Sequence, residues 1–393
     1  MLAALAIATR ARPSVGNAHA PLTVERVSDV AAFRTFEQEW DELLEASDSR
    51  CVFLTWAWLF TWWKHLAEDR LLHILIVRRG KKLIALAPFC LRPRNLARAR
   101  PLPVLEFLGS GFAGSDYLDV IVRRGSRAEA CEALSSHLAE SRLAIKWTNL
   151  KLGENAAADV LAGLREEGWT AAEIRTNTCP FIPLSGATWE SYLASLSADH
   201  RYNFNRKLRR LNQNYAVRFE QADTRERCRE TTDLLIAQHN TRWQARGGSD
   251  AFHTASLVAF HREWTQLALE RGWLRLYVLR LNEQPAACLY GLLYREIFYF
   301  YQSSFDAAYT QSSVGLISMG LAIRRAIDEG AEEYDLLHGS EAYKSHWSRD
   351  SRDLVRQEAF PPGALGAFSR RWVELGRASR ALARRMTTRG QTV

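Results

Sequence analysis

Two stretches of the sequence share one plan, 202 positions apart: FTWWKHLAEDRLLHILIVRRGKKLIALAPF and LVAFHREWTQLALERGWLRLYVLRLNEQPAACLYG, with Ile76-Val77-Arg78 aligned on Val278-Leu279-Arg280. Each reads as a helix, an apolar β-rich strand, a tight turn and a second strand with alanines near its start. Identity is slight, so the plan repeats and the side chains do not. At 393 residues the chain is long for one domain, and two copies of one unit fit that length. The expected fold class is α/β of the α+β kind: paired units, each a mixed, mostly antiparallel sheet flanked by helices.

Around the first copy, residues 30–46 read as a helix, and FLTWAWLFTWWKHL as a buried one in which Trp56, Trp58, Trp62 and Trp63 serve the core. Short strands at 104–108 and 117–122 flank GSGFAGSD; helices and strands then alternate to residue 174. Glycines 109, 111 and 114 match neither a P-loop nor a dinucleotide fingerprint and read as turn glycines. CPFIPL (179–184) reads as an extended crossover between halves. The basic run HRYNFNRKLRRLNQNY (200–215) is either a solvated helix face or an anion-contacting helix. A three-strand meander follows, with turns at 282–285 and 295–296. The implied division is a disordered leader at 1–21, units at 22–184 and 185–360, and a C-terminal helix with tail at 361–393.

Composition narrows the chemistry. With 47% hydrophobic and 24% charged residues, the chain reads as globular with a sizeable core. Its net charge of +8 favours anionic ligands or surfaces without naming one. Six cysteines lie scattered with no C-x-x-C pair, which argues against a zinc site or a disulfide framework and fits a reducing cytoplasm. The leader carries its apolar run ahead of its arginines, the reverse of a secretory signal, and no apolar run is long enough to span a bilayer.

Chemistry-bearing residues cluster at 334–347, YDLLHGSEAYKSHW: a short strand, a glycine, then Ser340, Glu341, Tyr343, Lys344, His346 and Trp347. Titratable groups just past a strand's carboxyl end sit where α/β sheets place ligands. Upstream, a tyrosine-rich strand at 297–303 runs through SFDAAYTQSSVGL into a helix. A helix start offers free N–H groups and a positive dipole end to phosphate, although Ser-Ser at that place also serves as a plain N-cap.

These motifs, with WESYLASLSADHRYNFNRKLRRL before them, resemble the GNAT-superfamily acyltransferases and, more narrowly, the CelD-type (cellulose-biosynthesis) acetyltransferase family, similar in plan to the Fem-type aminoacyltransferases. The resemblance covers residues 22–356 and is strongest from 188 onward; it departs at Val314, where the family often has proline, and at His338, where a more basic residue is commoner. It implies tandem GNAT-like domains and acyl transfer, acetyl from acetyl-CoA, to an amine or hydroxyl acceptor in polysaccharide or cell-envelope metabolism, with no metal. It implies that Ser312, Ser313, Val314 and Gly315 contact the pyrophosphate, that pantetheine runs between strands splayed at 298–302 and 334–337, and that Arg206, Tyr301 and Gln302 face the substrate. In this reading Glu341 is the base, Tyr343 the acid, and Lys344 holds an anion or the oxyanion, with Asp335 and His338 as lesser candidates. The plainer reading makes Glu341 and Lys344 an ion pair.

Two other functions fit the sequence. One is a Fem-type transferase taking its donor from aminoacyl-tRNA, although no long helical hairpin insertion is present. The other is a non-catalytic scaffold of a polysaccharide synthase. The C-terminal helix (364–385) carries a stripe of Leu365, Phe368, Trp372, Leu375 and Leu382 among Arg370, Arg371, Arg377, Arg380, Arg384 and Arg385. Docking of that stripe on its own domain is the expectation; peripheral contact with an anionic inner membrane is the alternative.

Overall fold

A computed structural model describes residues 20–95, 100–153, 155–244, 251–339 and 341–389, with side chains omitted at 243–244 and from 378 onward. The leader at 1–19, Ser340, and the side chains of Arg380, Leu382, Arg384 and Arg385 therefore lie outside the described residues.

In chain order the first half runs β1 (Leu22–Val27), α1 (Val30–Thr35), α2 (Glu37–Glu45), α3 (Trp56–Leu66), β2 (Leu71–Leu72), β3 (Ile74–Arg79), β4 (Lys82–Ala87), β5 (Phe89–Arg92), β6 (Val104–Phe107), β7 (Ile121–Val122), α4 (Arg127–Ala139), β8 (Ala144–Lys151), α5 (Ala156–Glu166) and β9 (Thr170–Pro183). The second runs α6 (Trp189–Ser195), α7 (Ala198–Asn214), β10 (Val217–Gln221), α8 (Arg225–Gln244), α9 (Ala255–Glu270), β11 (Leu274–Leu281), β12 (Gln284–Tyr294), β13 (Ile297–Phe305), α10 (Val314–Asp328), β14 (Glu333–Asp335), β15 (Asp350–Phe360) and α11 (Ala364–Arg389). The helix expected at 30–46 is interrupted at Phe36, and the strand expected at 117–122 is reduced to its last two residues.

Among the described residues these strands form a four-stranded sheet, β1-β3-β4-β7, and an eleven-stranded one, β10-β11-β12-β13-β14-β9-β15-β8-β6-β5-β2. Pairing is antiparallel except at β13–β14 and β6–β8. The mixed, mostly antiparallel fold flanked by helices is thus the one expected.

The repeat extends to register. Val77 faces Ala85 in the first hairpin and Leu279 faces Ala287 in the second, the same positions in each copy. A bulge follows at Val77/Arg78 and again at Leu279/Arg280. Both second strands are apolar and buried on both faces near their start, so alanine there lets helices approach. The two repeat helices pack on each other: Trp58 of α3 meets its own counterpart, Phe260 of α9, edge to face at 4.9 Å, with Trp264 at the same distance. Lys64 and His65 both reach Glu263 at 2.7 Å along that seam. Of the four tryptophans expected in the core, Trp58 and Trp62 are fully buried, and Trp56 and Trp63 pack against it partly exposed.

One strand crosses between halves. β15, from residues 350–360, lies between β9 and β8 of the first half, so a cut at 184/185 separates neighbours in one sheet. Gly320 sets a close approach in the second half. A Cβ there would lie 2.3 Å from the Phe204 ring, which lets α7 lie directly on α10.

The C-terminal helix docks by a different face from the expected one. A Cβ on Gly366 would collide with the Pro361 carbonyl, Ser369 is buried, Val373 joins the cluster around Phe360, Leu102 and Ala144, and Arg377 pairs with Glu358. Leu365, Phe368, Trp372 and Leu375 remain exposed. The Pro361-Pro362 exit from β15 sets the helix so near the sheet that only the small-residue face fits.

Candidate active site

β13 and β14 run parallel for three pairs, Ile297–Glu333, Phe298–Tyr334 and Tyr299–Asp335, and then part. A bulge at Tyr290/Gly291 leaves Tyr301 as the extra residue of β13, bending that strand next to the gap. On the other side the chain beyond Asp335 turns to β9: the Leu336 N–H donates to the Pro180 carbonyl (2.9 Å) and that of Gly339 to Thr178 (3.3 Å). Leu337 (φ 53°) and Gly339 (φ 138°) take left-handed backbone to make this turn. The gap is a cavity of about 360 Å³ with Phe300, Tyr301 and Gln302 on one wall and Leu336, Leu337 and His338 on the other.

His338 is the group this cavity holds most firmly. Its Nδ1 lies 2.8 and 2.9 Å from the two carboxylate oxygens of Asp116, and its own backbone N–H donates to Asp116 Oδ2 at 2.9 Å. Asp116 is 0% exposed. With Nδ1–H given to the carboxylate, Nε2 is the ring nitrogen left to accept a proton. The Asp116 hydrogen bond and charge hold the imidazole above the ordinary histidine range, against the opposing effect of burial. Next to this pair the Tyr117 hydroxyl donates to Asp335 Oδ2 at 2.7 Å, and burial pushes the Asp335 carboxyl up to about 7. His261 also lines the cavity; burial pushes it down to about 3, so its ring is neutral.

The residues at 341–344 form the rim. Lys344 is 4% exposed; its Nζ donates to the His338 (2.9 Å) and Leu337 (3.3 Å) carbonyls and pairs with Glu341 at 3.0 Å. It staples the turn that presents His338. Glu341 and an exposed Tyr343 also line the cavity. Tyr301 and Gln302 lie on its wall; the Tyr301 hydroxyl donates to the Ala113 carbonyl at 2.5 Å.

A second cavity, about 720 Å³, opens at the start of α10 and is lined by Ser313, Val314, Gly315, Asn203, Lys207 and His346 among others. Ser313 stands at the helix start in left-handed backbone (φ 55°) with no side-chain cap bond, so the first-turn N–H groups face the opening. Ser312 ends the preceding 3₁₀ turn (Ala307–Ser312) and does not line the cavity. Gly315 is exposed, its side towards the Phe305 ring. Val314 buries its side chain, leaving its backbone to the opening. Arg206 stands elsewhere, exposed on α7 over the Tyr202 ring; its neighbour Lys207 takes the place by the cavity.

Asp116 has no counterpart in the sequence reading. It lies at the end of GSGFAGSD, whose glycines 109, 111 and 114 all have positive φ, and it reaches a histidine 222 positions away. The signal present was an acid closing a glycine-rich turn after a strand. Nothing local said where that turn points.

Among the described residues no group of three or more His, Cys, Asp or Glu converges as a metal site, and no helix is long and apolar enough to cross a membrane. All six cysteines are buried and free, and burial pushes the Cys90 and Cys179 thiols up, away from the thiolate.

A family model described as an acetyltransferase (GNAT) domain matches residues 198–345. No curated protein matches the chain in sequence. Among solved structures the chain is similar to FemX, with a TM-score of 0.58 at 13% identity over 82% of this chain and 95% of that one. It is similar to a conserved protein of unknown function from Bacteroides thetaiotaomicron VPI-5482, with a TM-score of 0.51 at 15% identity over 86% and 99% of the two chains. It is also similar to L-PGS from Bacillus licheniformis, with a TM-score of 0.51 at 9% identity over 87% and 95%. At these identities the likeness is one of fold. The parallel pair that parts and the open helix start beside it both fall within residues 198–345, the segment that matches the model of a GNAT acetyltransferase domain.

Proposed function

We propose that this protein moves an acetyl group from acetyl-CoA to an amine or hydroxyl of a polysaccharide or cell-envelope precursor on the cytoplasmic side, as the CelD-type resemblance suggests. The observation that carries the reading is the placement of the Asp116–His338 pair in the β13–β14 gap, on the same strand pair that leads to the α10 start. The thioester supplies an activated acyl carbon. Backbone N–H groups at Val314 and Gly315, the Ser313 hydroxyl and Lys207 would hold its pyrophosphate, with Ser312 left outside the cavity. The gap between Tyr301–Gln302 and Leu336–His338 would take the pantetheine arm and bring the thioester to the histidine.

There His338 Nε2 accepts the acceptor's proton as the new bond forms, and the Asp116 carboxylate stabilises the imidazolium. Tyr343, at the rim, is placed to return a proton to the departing sulfur. Lys344 and Glu341 keep the 337–339 turn in position; this geometry favours His338 over Glu341 as the base. Calorimetric titration with acetyl-CoA tests the donor, with Gly315→Trp as control, since that position is exposed and the substitution blocks the opening. Binding by the native chain that the variant loses by tenfold or more supports the reading; no heat with the native chain rejects it.

A second reading, an aminoacyl-tRNA donor, draws on the likeness to FemX and on the exposed arginines Arg206, Arg209 and Arg210 along α7. Transfer from aminoacyl-tRNA by a chain that gives no heat with acetyl-CoA would select it.

A further inference from the structure

The exposed stripe of α11 is an unusual surface. Leu365, Phe368, Trp372 and Leu375 are 49%, 49%, 43% and 67% exposed, and they follow one another at helical spacing on one face. The Phe368 and Trp372 rings touch at 5.6 Å, so the patch is continuous. It is not left open for want of a docking surface, since Gly366, Ser369, Val373 and Arg377 already seat the helix on β15. Few large apolar side chains are exposed elsewhere among the described residues, and Phe112 and Tyr343 of that group line the active-site cavity. Large exposed apolar patches mark interaction sites.

Charge says which kind. The sequence of α11 holds seven arginines against one acid, Glu374, and that acid is engaged with Arg370 at 3.9 Å. At 26 residues the helix is roughly 39 Å long, ample for an in-plane element. Its charge density excludes a transmembrane course, and an exposed apolar stripe on an arginine-rich helix suits the boundary between acyl chains and anionic headgroups. A protein partner with a matching groove would need acids facing those arginines; a bilayer surface rich in phosphate supplies them everywhere.

We infer that α11 is an in-plane anchor that holds the protein on an anionic lipid surface, inserting Leu365, Phe368, Trp372 and Leu375. The helix packs at the Phe360 end of β15, and the β14–β9 edge beside the cavity lies at the Asp350 end. The length of that strand, on the order of 35 Å, separates anchor from active site and leaves the cleft open to its ligands.

Co-sedimentation of the full chain with vesicles tests this. The expected result is binding to phosphatidylcholine containing 30 mole per cent phosphatidylglycerol, at least tenfold weaker binding to phosphatidylcholine alone, and at least a tenfold loss in Phe368→Ser/Trp372→Ser. Both positions are exposed, so the double variant should keep its melting temperature; if it does not, Leu375→Ser is read in its place, with at least a threefold loss expected. Absence of binding to the anionic vesicles, equal binding to both compositions, or binding unchanged in the variants would overturn the anchor. So would dimers of the wild type in sedimentation velocity that disperse in the variant, since the stripe would then cover a second copy of the chain.

Discussion

The two parallel strand pairs, β6–β8 and β13–β14, start alike and end differently. In the second half the strands part and leave a cavity. In the first, β6 pairs with β8 at Val104–Ala144 and Leu105–Ile145, and the chain beyond β6 then folds back onto β8. The Leu118 N–H donates to the Asn149 carbonyl at 3.2 Å, and the Asn149 side chain donates to the Ser115 carbonyl at 2.8 Å. Gly109 lets this plug close: a Cβ there would lie 2.9 Å from Ser115 Oγ. So the first unit closes its own gap, and the same segment delivers Asp116 and Tyr117 to the gap of the second. The segment that closes the opening in the first half thus supports the opening in the second.

This contrast makes His338 and Asp116 the sharpest test. His338→Ala should lower turnover by about 10²–10⁴-fold with acetyl-CoA binding retained, because a positioned base contributes that much. Asp116→Asn should move the acidic limb of the pH–rate profile downward: the carboxylate holds His338 above its ordinary value, so removing it lets the ring become neutral at lower pH. If both variants keep full activity on an identified acceptor, the first half supplies nothing to the chemistry.

The seam between halves comes next. Trp58→Ala should cost about 3–5 kcal/mol in denaturant melts, as for other buried tryptophans, with one cooperative transition retained because β15 ties both halves into one sheet. Two separated transitions would mean independent units.

Asp335 offers a smaller, pH-dependent effect. Its carboxyl lies near 7 in the fold against an ordinary 3.8. Between these values the folded chain keeps a proton that the unfolded chain has lost, so stability falls as pH rises, by up to about 1.4 kcal/mol per unit. Asp335→Asn should flatten the curve in that window and leave stability below pH 4 nearly unchanged. Last, Asn149→Ala should cost on the order of 1–2 kcal/mol by removing the plug's side-chain bond from a position at φ 61° that asparagine tolerates better than alanine. An unchanged melting curve would show that the plug does not depend on it.

Much of the architecture was legible because it is periodic. The meander and its turns, with positive φ at Asn282, Glu283, Arg295 and Glu296, follow from alternation and turn chemistry, and the helix start at Ser313 from a Ser-Ser-x-Gly pattern. The site was legible in part. Tyr301 and Gln302 do wall the cavity, whereas Arg206 and Lys207 are adjacent on one helix and only tertiary packing decides which of them faces the opening. Lys344 reads in sequence as an anion holder or as the ion-pair partner of Glu341; the pair is present at 3.0 Å, but its Nζ is also turned inward to carbonyls that lie close only after the 337–339 turn has formed.

By itself the sequence determined the repeated helix–strand–turn–strand plan, because side-chain alternation and turn residues act over a few positions; the common register and bulge appear only in the structure. Tertiary structure alone decided that β15 inserts between β8 and β9, that one gap is filled and the other open, and that Asp116 meets His338. Those outcomes depend on which surfaces find each other across some two hundred residues, and burial rewards any well-packed apolar pairing without recording its partner in the local pattern.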